Sequence, residues 1–428
     1  MKSRKASRLP ISLGFFAVIS LLAVPLLAAA TPARAEALLL VDADSGKVLR
    51  AENATYPWYP ASLSKLMTLY LTLSAIRDHR ITFDTLFTVS RDAWSQSPTK
   101  MGFPIGTQVT VDNALKMLMV KSANDMAVLL AEGIDGSIDK FAEEMTLTAQ
   151  SLGMTETNYV NPNGLPADGQ ITSARDLAIL ARALIKQFPQ YSFYWHIPAI
   201  KYGRRVVRNY NPLLGRYPGA DGMKTGFICA SGFNLVATAT RDNKRLIAVV
   251  LGAPSGAARA VKAAEMLETG FRQNPLAWLT PSLGTVDELK PINTDPPNLK
   301  DEMCGRHRKR PPAEDEDVDE EADNAQNGGV AVGNVGAGDM GSSLLSALRA
   351  PTPKNLLSDL GPVVPVVVYT GPTRAVPPQD TDVATVHAKP RPKPKKPKVA
   401  AAPVGEKPGA VKPAPRLAPK PKPKNPAS

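Results

Sequence analysis

Between residue 36 and about residue 275 the chain alternates short apolar runs with longer amphipathic segments. The runs ALLLVDA and LIAVVLGA are typical of buried strands and lie near the two ends of this region. Between them, apolar positions recur at helical spacing over 113–132, 137–152 and 173–188. This pattern predicts an α/β fold in which strands from both ends share one sheet and a long helical insertion separates them.

The first 35 residues have the pattern of an export signal. A basic start, MKSRKASR, precedes an apolar run over 11–30 and the small residues Ala33 and Ala35. A run of this length is also long enough to be a retained membrane anchor. Pro25 near its end and the A-x-A pattern favour cleavage after Ala35. With either outcome we expect an exported protein of the periplasm or cell envelope.

After a globular domain predicted over 36–275, the composition changes three times. We expect a Pro-rich linker over 276–312 and an acidic and Gly-rich low-complexity region over 313–388, with apolar islands such as VVPVVVY as docking points. The last segment, 389–428, holds ten Lys and two Arg against one Glu, or +11 of the net charge of +12. Because such segments bury little apolar surface, a disordered tail is predicted.

Because nearly all of the net charge lies in the tail, a prediction of partners from charge applies to the tail alone. The rest of the chain is close to neutral, and nucleic acid is not expected for an exported protein. An anionic envelope surface, such as wall polymers or lipid head groups, is the predicted partner of the tail. A solvated, solubilising arm is the alternative.

The chain has two cysteines, Cys229 and Cys304, far apart and in different sequence contexts. No disulfide framework is therefore predicted. A buried and inert Cys229 is expected instead.

Candidate chemistry begins at ASLSK, where Ser62, Ser64 and Lys65 stand at the start of a helix predicted over 61–76. Residues three apart share a helix face, so Ser62 and Lys65 face each other while Ser64 points elsewhere. A lysine desolvated beside a serine can lose its proton and act as a base. An N-capping serine with a solvated lysine is the alternative, and this motif alone does not exclude it.

Two further motifs favour catalysis. Ser122-Ala123-Asn124 stands where a helix starts or a loop enters one, and Lys224-Thr225-Gly226 heads a strand-like run. S-x-x-K, S-x-N and K-T-G in this order form the signature set of penicillin-binding proteins and serine β-lactamases. Each motif alone is weak, but the three together in an exported chain indicate a serine acyl-transfer enzyme.

With these motifs, the region from Glu36 to Arg272 resembles the low-molecular-mass penicillin-binding proteins that are D-alanyl-D-alanine carboxypeptidases. The supporting stretches are LLVDADSGKVL, WYPASLSKLMT, LGMTETNYVNPNGL, ITSARDLAILARAL and DGMKTGFICASGFNLVATA. The resemblance implies a β-lactamase/DD-peptidase-like fold, an antiparallel sheet flanked by helices. It also implies removal of the terminal D-alanine from peptidoglycan stem peptides through an acyl-enzyme, and inhibition by β-lactams, with no cofactor.

The resemblance implies a role for each motif residue in the reaction. Ser62 would be the acylated nucleophile and Lys65 its general base. Ser122 would relay the proton toward the leaving D-alanine. The backbone N–H groups of Ser62 and Phe227 would form the oxyanion hole. Phe227 stands where many relatives carry histidine.

Substrate binding is assigned in the same way. Asn124 would hydrogen-bond the peptide group of the substrate. Lys224 and Thr225, followed by Gly226, would hold the terminal carboxylate. Arg259, at the start of RAVKAAEMLETGFR, would help to bind that carboxylate.

Three alternative functions remain open on these residues. A β-lactamase needs a group that activates the deacylating water, and Asp168 and Asp176 lack that context. A DD-endopeptidase or transpeptidase would use the same motifs, whereas a catalytically silent cell-wall binder would not need all of them. The chain has no G-x-S-x-G and no H-E-x-x-H, and its four histidines lie outside every motif. An α/β-hydrolase triad and a zinc site are therefore disfavoured.

Overall fold

A computed structural model of the chain describes residues 36–272, 281–306, 356–359 and 361–373. The predicted export signal and the cationic tail lie outside the described residues, as does most of the acidic and Gly-rich region. Within the described parts, every helix is too short or too polar to cross a membrane.

The described residues form strands and helices that alternate along the chain. The strands are β1 Ala37–Asp42, β2 Val48–Glu52, β3 Leu86–Thr88, β4 Gln108–Thr110, β5 Ala199–Tyr202, β6 Arg205–Arg208, β7 Ala220–Ile228, β8 Gly232–Arg241, β9 Lys244–Ala253 and β10 Val366–Val368. The helices are α1 Lys65–Arg77, α2 Arg91–Ser95, α3 Val111–Val120, α4 Asn124–Asp135, α5 Ile138–Ser151, α6 Ala174–Gln187, α7 Phe193–His196, α8 Gly256–Phe271 and α9 Lys300–Cys304.

The main sheet has the order β2-β1-β9-β8-β7 and is antiparallel throughout. β1 pairs with β9, so strands from both ends of the domain share one sheet, as the apolar runs predicted. Leu39 and Val249 face the larger core, which includes α1 and α6, while Leu38 and Val250 face α8. Because helices cover both faces of the sheet, side chains on both faces of its central strands are buried. This explains why β1 and β9 have continuous apolar sequences. The fold class is confirmed.

The helical insertion lies between β2 and β7 and is confirmed with one change. Ser137 and Ser173 directly precede α5 and α6 as N-caps. Their side chains accept hydrogen bonds from backbone N–H groups three residues on. The helical pattern over 113–132 is two helices, α3 and α4, separated by a break, and α4 begins at Asn124, as expected of a helix start at the S-x-N motif. Ser122 lies in that break with φ 57°, in the left-handed region, which a continuous helix does not allow.

Residues 281–306, here called the C-terminal belt, lie in the segment predicted to be a Pro-rich linker. The belt packs on the main body through the buried side chains of Val286, Leu299 and Met303. Val48 N donates to Gly284 O (2.9 Å), which joins the belt to β2. The described part of this segment is thus attached to the globular body along its length.

The apolar island VVPVVVY also contacts the body. It contains β10, which pairs in parallel with β5. Val368 is buried, and Tyr369 N donates to the buried side chain of Asn113 (3.1 Å). Gly371 N donates to Gln108 O (2.7 Å) at β4. This island therefore docks by strand pairing against the helical insertion.

Cys229 and Cys304 form a disulfide, with their Cα atoms 5.6 Å apart. The expectation of an unpaired, buried Cys229 is wrong, and Cys229 is half-buried at the turn between β7 and β8. The belt brings the two together, because Leu299 N donates to Ala230 O (2.9 Å) at the same turn. The two cysteines are 75 residues apart in sequence. No local sequence pattern indicates that the belt packs against this turn.

We expect the double variant Cys229→Ala/Cys304→Ala to unfold at a lower urea concentration than the wild type. Closing a loop of 75 residues restricts the unfolded chain, which corresponds to about 4 kcal/mol of unfolding free energy. Tryptophan fluorescence during urea titration measures the change. Wild type treated with a dithiol reductant should match the variant, and the variant should not respond to the reductant. Equal midpoints for oxidised wild type and variant would contradict the prediction.

Candidate active site

Ser62 lies in a 3₁₀ turn, Ala61–Ser64, that leads directly into α1. Ala61 has φ 49°, a left-handed conformation that a residue with a Cβ rarely adopts. Gly226 of β7 packs against the turn, since a Cβ built on Gly226 would lie 3.0 Å from Ser62 N. The nucleophile candidate and the K-T-G strand are therefore in direct backbone contact.

Lys65, the first residue of α1, has no exposed surface. Its Nζ donates to Ser62 Oγ (2.9 Å) and to Asn163 O (2.8 Å). The structure confirms the prediction that the side chains of Ser62 and Lys65 face each other. The alternative of a solvated lysine is wrong, because this amine is enclosed by the protein.

Ser64 is bonded elsewhere, as helical geometry predicted. Its Oγ accepts from Gln170 Nε2 (3.0 Å), and the side chain is fully buried. Gln170 also accepts from Asn161 N (3.1 Å). Ser64 therefore connects the start of α1 to the loop over 157–172.

That loop supplies a site residue that was not predicted. Asn163 gives its carbonyl oxygen to Lys65, and its side-chain amide donates to Gln96 Oε1 (2.8 Å). The neighbouring Gly164 has φ +82°, and a Cβ built there would be 1.7 Å from Ala61 O. The sequence N-P-N-G over 161–164 is a turn signal that could have indicated a tight turn here. Nothing in the sequence marked the Asn163 carbonyl as a ligand of Lys65.

Ser122 and Asn124 lie at the break before α4. Ser122 is fully buried, and within the described parts of the chain its Oγ has no hydrogen-bond partner. Asn124 Nδ2 donates to Ser97 O (2.9 Å), and Asn124 N donates to Thr99 O (2.8 Å). The S-x-N motif thus lies beneath the loop that follows α2.

Asp125, next in the chain, holds the same loop. Its carboxylate accepts from Met101 N (3.0 Å) and Gly102 N (2.8 Å). Burial raises the pKa of Asp125, and the backbone N–H donors act in the opposite direction. Asp125 was not among the predicted residues, and it fixes the loop above Asn124.

Lys224 and Thr225 are buried on β7. Lys224 Nζ donates to Thr225 O (3.0 Å). Phe227, two residues on from Thr225, is half-buried, and its ring packs 4.4 Å from that of Phe233 on β8. The K-T-G strand therefore carries a buried lysine two residues before Gly226, which contacts the Ser62 turn, while Phe227 packs on the sheet.

Arg259, near the start of α8, is fully buried. Its guanidinium donates to Asn234 O (3.3 Å) and Tyr210 O (3.4 Å) and lies 5.5 Å from the ring centre of Phe233. It therefore lies beside β8, the neighbour of β7. Direct contact with a substrate carboxylate stays a prediction for this residue.

The two acids considered for water activation have different surroundings. Asp176 is fully buried, and its carboxylate accepts from Arg175 (2.7 Å) and Thr157 (2.7 Å). Burial raises the pKa of Asp176 against the effect of these donors. Asp168 is exposed on the loop. Asp176 is thus held by hydrogen bonds to its protein neighbours and does not face a substrate site.

Among the described residues, no group of three or more His, Cys, Asp or Glu is arranged to hold a metal ion.

Comparison with known proteins matches residues 26–255 to the profile of a family described as D-alanyl-D-alanine carboxypeptidase, peptidase family S11. D-alanyl-D-alanine carboxypeptidase DacD of Escherichia coli is 38% identical over 239 residues, which is 54% of this chain and 62% of the relative. The chain thus spans about three-fifths of the length of the curated relatives it matches.

Solved structures give the same result. Penicillin binding protein 6B of Escherichia coli has a TM-score of 0.53 and 37% identity, covering 55% of this chain and 76% of that one. Penicillin-binding protein D2 of Listeria monocytogenes, in a cefotaxime-bound form, has a TM-score of 0.50 and 30% identity, covering 55% and 96%.

We expect Gly164→Ala to destabilise the protein more than Gly169→Ala. Both glycines have φ +82°, a left-handed conformation that is unfavourable for alanine. Each substitution therefore lowers the free energy of unfolding by about 1 kcal/mol from this effect alone. Only at position 164 does the new Cβ meet backbone, at 1.7 Å from Ala61 O, whereas at 169 the nearest atom is 3.5 Å away. The clash adds about 2 kcal/mol or more. Urea unfolding of the two variants measures the difference, and equal losses would show that the loop relaxes without cost.

Proposed function

This chain belongs to the D-alanyl-D-alanine carboxypeptidase family, and on that premise we propose that it is a serine carboxypeptidase of peptidoglycan. It removes the terminal D-alanine from stem peptides through an acyl-enzyme on Ser62. Its catalytic domain covers 36–275. The observation that carries the proposal is the buried contact of 2.9 Å between Lys65 Nζ and Ser62 Oγ.

In the first step Ser62 Oγ attacks the carbonyl carbon of the penultimate D-alanine. The hydroxyl proton passes to Lys65 Nζ, which reacts as the neutral amine. The 2.9 Å separation is suited to this transfer, and the hydrogen bond from Lys65 to Asn163 O orients the amine. The new bond is the ester between Oγ and the acyl carbon, and its formation requires the amide bond to break.

The negative charge on the carbonyl oxygen is stabilised by the backbone N–H groups of Ser62 and Phe227. The close packing of Gly226 on the Ser62 turn supports this assignment, because it places the end of the K-T-G motif beside Ser62 N. Phe227 contributes through its backbone in this scheme, so its ring is free to pack on Phe233.

The leaving D-alanine needs a proton on its nitrogen. Ser122 relays it from Lys65 in this scheme. Its buried Oγ has no hydrogen-bond partner among the described residues, Lys65 included, so the hydroxyl is open to bond both groups once a substrate is present. Water then attacks the ester and regenerates Ser62. Lys224 and Thr225 bind the terminal carboxylate, with Arg259 adding positive charge behind them, and Asn124 bonds the peptide group.

β-Lactams would acylate Ser62 by the same attack, since their amide takes the place of the substrate amide. The deacylating group of a β-lactamase lacks support here, because Asp176 is tied to Arg175 and Thr157. The ester formed with a β-lactam is therefore expected to persist, which would make these compounds inhibitors.

We expect Ser62→Ala to abolish covalent labelling by benzylpenicillin and release of D-alanine from a D-Ala-D-Ala peptide. Ser64→Ala is the matched control, and it should keep both activities because Ser64 Oγ only accepts from Gln170 in the described contacts. Intact-protein mass spectrometry measures the adduct, and chiral detection of D-alanine measures turnover. An adduct on Ser64, or labelling of Ser62→Ala, would overturn the assignment.

The protein is exported in this proposal, with the leader removed after Ala35. The Cys229–Cys304 disulfide supports an oxidising compartment. The cationic tail, with a charge of +11 over 389–428, would adhere to an anionic envelope surface. Each basic residue near such a surface contributes about 1 kcal/mol, reduced by salt.

Deletion of 388–428 should leave hydrolysis of a soluble peptide unchanged and release the protein from envelopes at moderate salt. A full-length variant with the ten tail lysines changed to glutamine separates charge from length. Sedimentation with isolated envelopes across a salt series measures binding. Unchanged sedimentation of either variant would refute electrostatic adhesion.

A further inference from the structure

Strands β5 and β6 form a hairpin over 199–208, here called the basic hairpin. Its sequence, AIKYGRRVVR, contains four basic residues and no acidic one. Lys201, Arg204 and Arg205 are exposed, and Arg208 is half-buried and donates to Gly361 O (3.1 Å). Within the described parts of the chain, none of the four forms an ion pair with a carboxylate. The hairpin is therefore a cluster of cations without counter-charges.

The net charge of the chain conceals this cluster. The first 35 residues hold five basic residues and no acidic one, and the tail holds +11 of the total of +12. The remainder, 36–388, is therefore net negative. Cations that stand close together on such a body create a local positive potential, which attracts anionic partners to that place.

The third strand of this small sheet comes from a distant part of the chain. β10 pairs with β5, so Lys201 lies between Val206 of β6 and Val367 of β10. Side chains alternate between the two faces of a strand, and Ile200 and Val368 are buried in the core on the inner face. The outer face therefore presents Val367, which is 42% exposed, beside the exposed Lys201 and the half-buried Val206.

This mixture of aliphatic and cationic side chains favours one kind of anionic partner. A soluble polyanion is attracted by the cations alone and gains nothing from the valines. The surface of an anionic bilayer offers phosphates to the cations and an apolar layer to aliphatic side chains. Tyr202, 38% exposed at the end of β5, is also of a type enriched at membrane interfaces.

The basic hairpin adjoins the candidate active site. The ring of Tyr202 lies 5.2 Å from that of Phe103. Phe103 follows Gly102, whose backbone N–H donates to Asp125 (2.8 Å) in the loop above Asn124. A partner bound on the hairpin would therefore lie on the same side of the protein as the S-x-N motif.

We propose that the outer face of the β10-β5-β6 sheet is a docking surface for an anionic phospholipid bilayer. Lys201, Arg204 and Arg205 pair with lipid phosphates, while Val206 and Val367 lie at the level of the head groups. This contact is separate from the adhesion proposed for the tail. The tail tethers the protein, whereas the hairpin fixes the orientation of the folded body, with the S-x-N side of the site toward the membrane.

The test measures co-sedimentation with vesicles of phosphatidylglycerol and phosphatidylcholine in equal parts. The parent protein is the chain 36–428 with its ten tail lysines changed to glutamine, which removes most of the attraction of the tail. Adding Lys201→Gln, Arg204→Gln and Arg205→Gln should lower the partition coefficient about a hundredfold at low salt. An unchanged urea midpoint shows that the variant is folded.

A second variant tests the apolar part of the surface. Val367→Asn in the same parent should weaken vesicle binding about fivefold, because a partly exposed aliphatic side chain no longer enters the interface. Binding of this variant to soluble polyphosphate should equal that of the parent. Equal vesicle binding by this variant and the parent would show that charge alone is recognised, and the bilayer proposal would be wrong.

The charge control changes three exposed lysines in other parts of the body, Lys47→Gln, Lys140→Gln and Lys290→Gln. It removes the same charge as the hairpin variant and should bind vesicles as the parent does. The proposal is overturned if this control loses as much binding, or if the hairpin variant keeps the affinity of the parent. It is also overturned if the hairpin cations affect binding only to lipid-free cell-wall sacculi, which would make a wall polymer the partner.

Discussion

The buried amine of Lys65 is the constraint on which the rest of the site depends. An amine with no exposed surface is unfavourable unless protein groups replace its hydrogen bonds to water. Ser62 Oγ and Asn163 O do so, which requires the loop containing Asn163 to lie directly against the start of α1. That approach leaves no room for a Cβ at Gly164. The glycine, the left-handed Ala61 and the packing of Gly226 are therefore linked consequences of enclosing one lysine beside one serine.

The parts of the site that could be predicted are those set by local geometry. Ser62 and Lys65 were paired because residues three apart share a helix face, and this depends on no distant contact. At Ser122 the sequence supports two conflicting predictions, a helical pattern across 113–132 and a helix start at the S-x-N motif. The structure follows the second, and the backbone there is held by a tertiary hydrogen bond, Asn124 N to Thr99 O. Asn163 was missed for a different reason. It contributes a backbone carbonyl, which every residue has, so its role leaves no trace in residue type.

The segments after the domain show the limit of composition as evidence. A Pro-rich or polar stretch cannot form a core of its own, but it can add to an existing one with a few apolar anchors. Val286, Leu299 and Met303 are such anchors in the C-terminal belt, and Val368 is one in β10. Averages over a segment conceal anchors of this kind. The disulfide is part of the same arrangement, since the belt brings Cys304 to the turn of Cys229.

One loop connects the proposed base to a cavity of about 220 Å³ beside the Ser62 turn. Residues 157–172 supply Asn163 O to Lys65 and also the Leu165 and Asp168 side of the cavity. Closely packed segments do not yield to a poorly fitting side chain without disturbing their neighbours. A stem peptide that pushed this wall outward would therefore weaken the contact that orients Lys65. On the proposed function, a substrate that fits poorly against this loop would consequently lower kcat as well as raise KM, because substrate fit and base orientation share the same backbone.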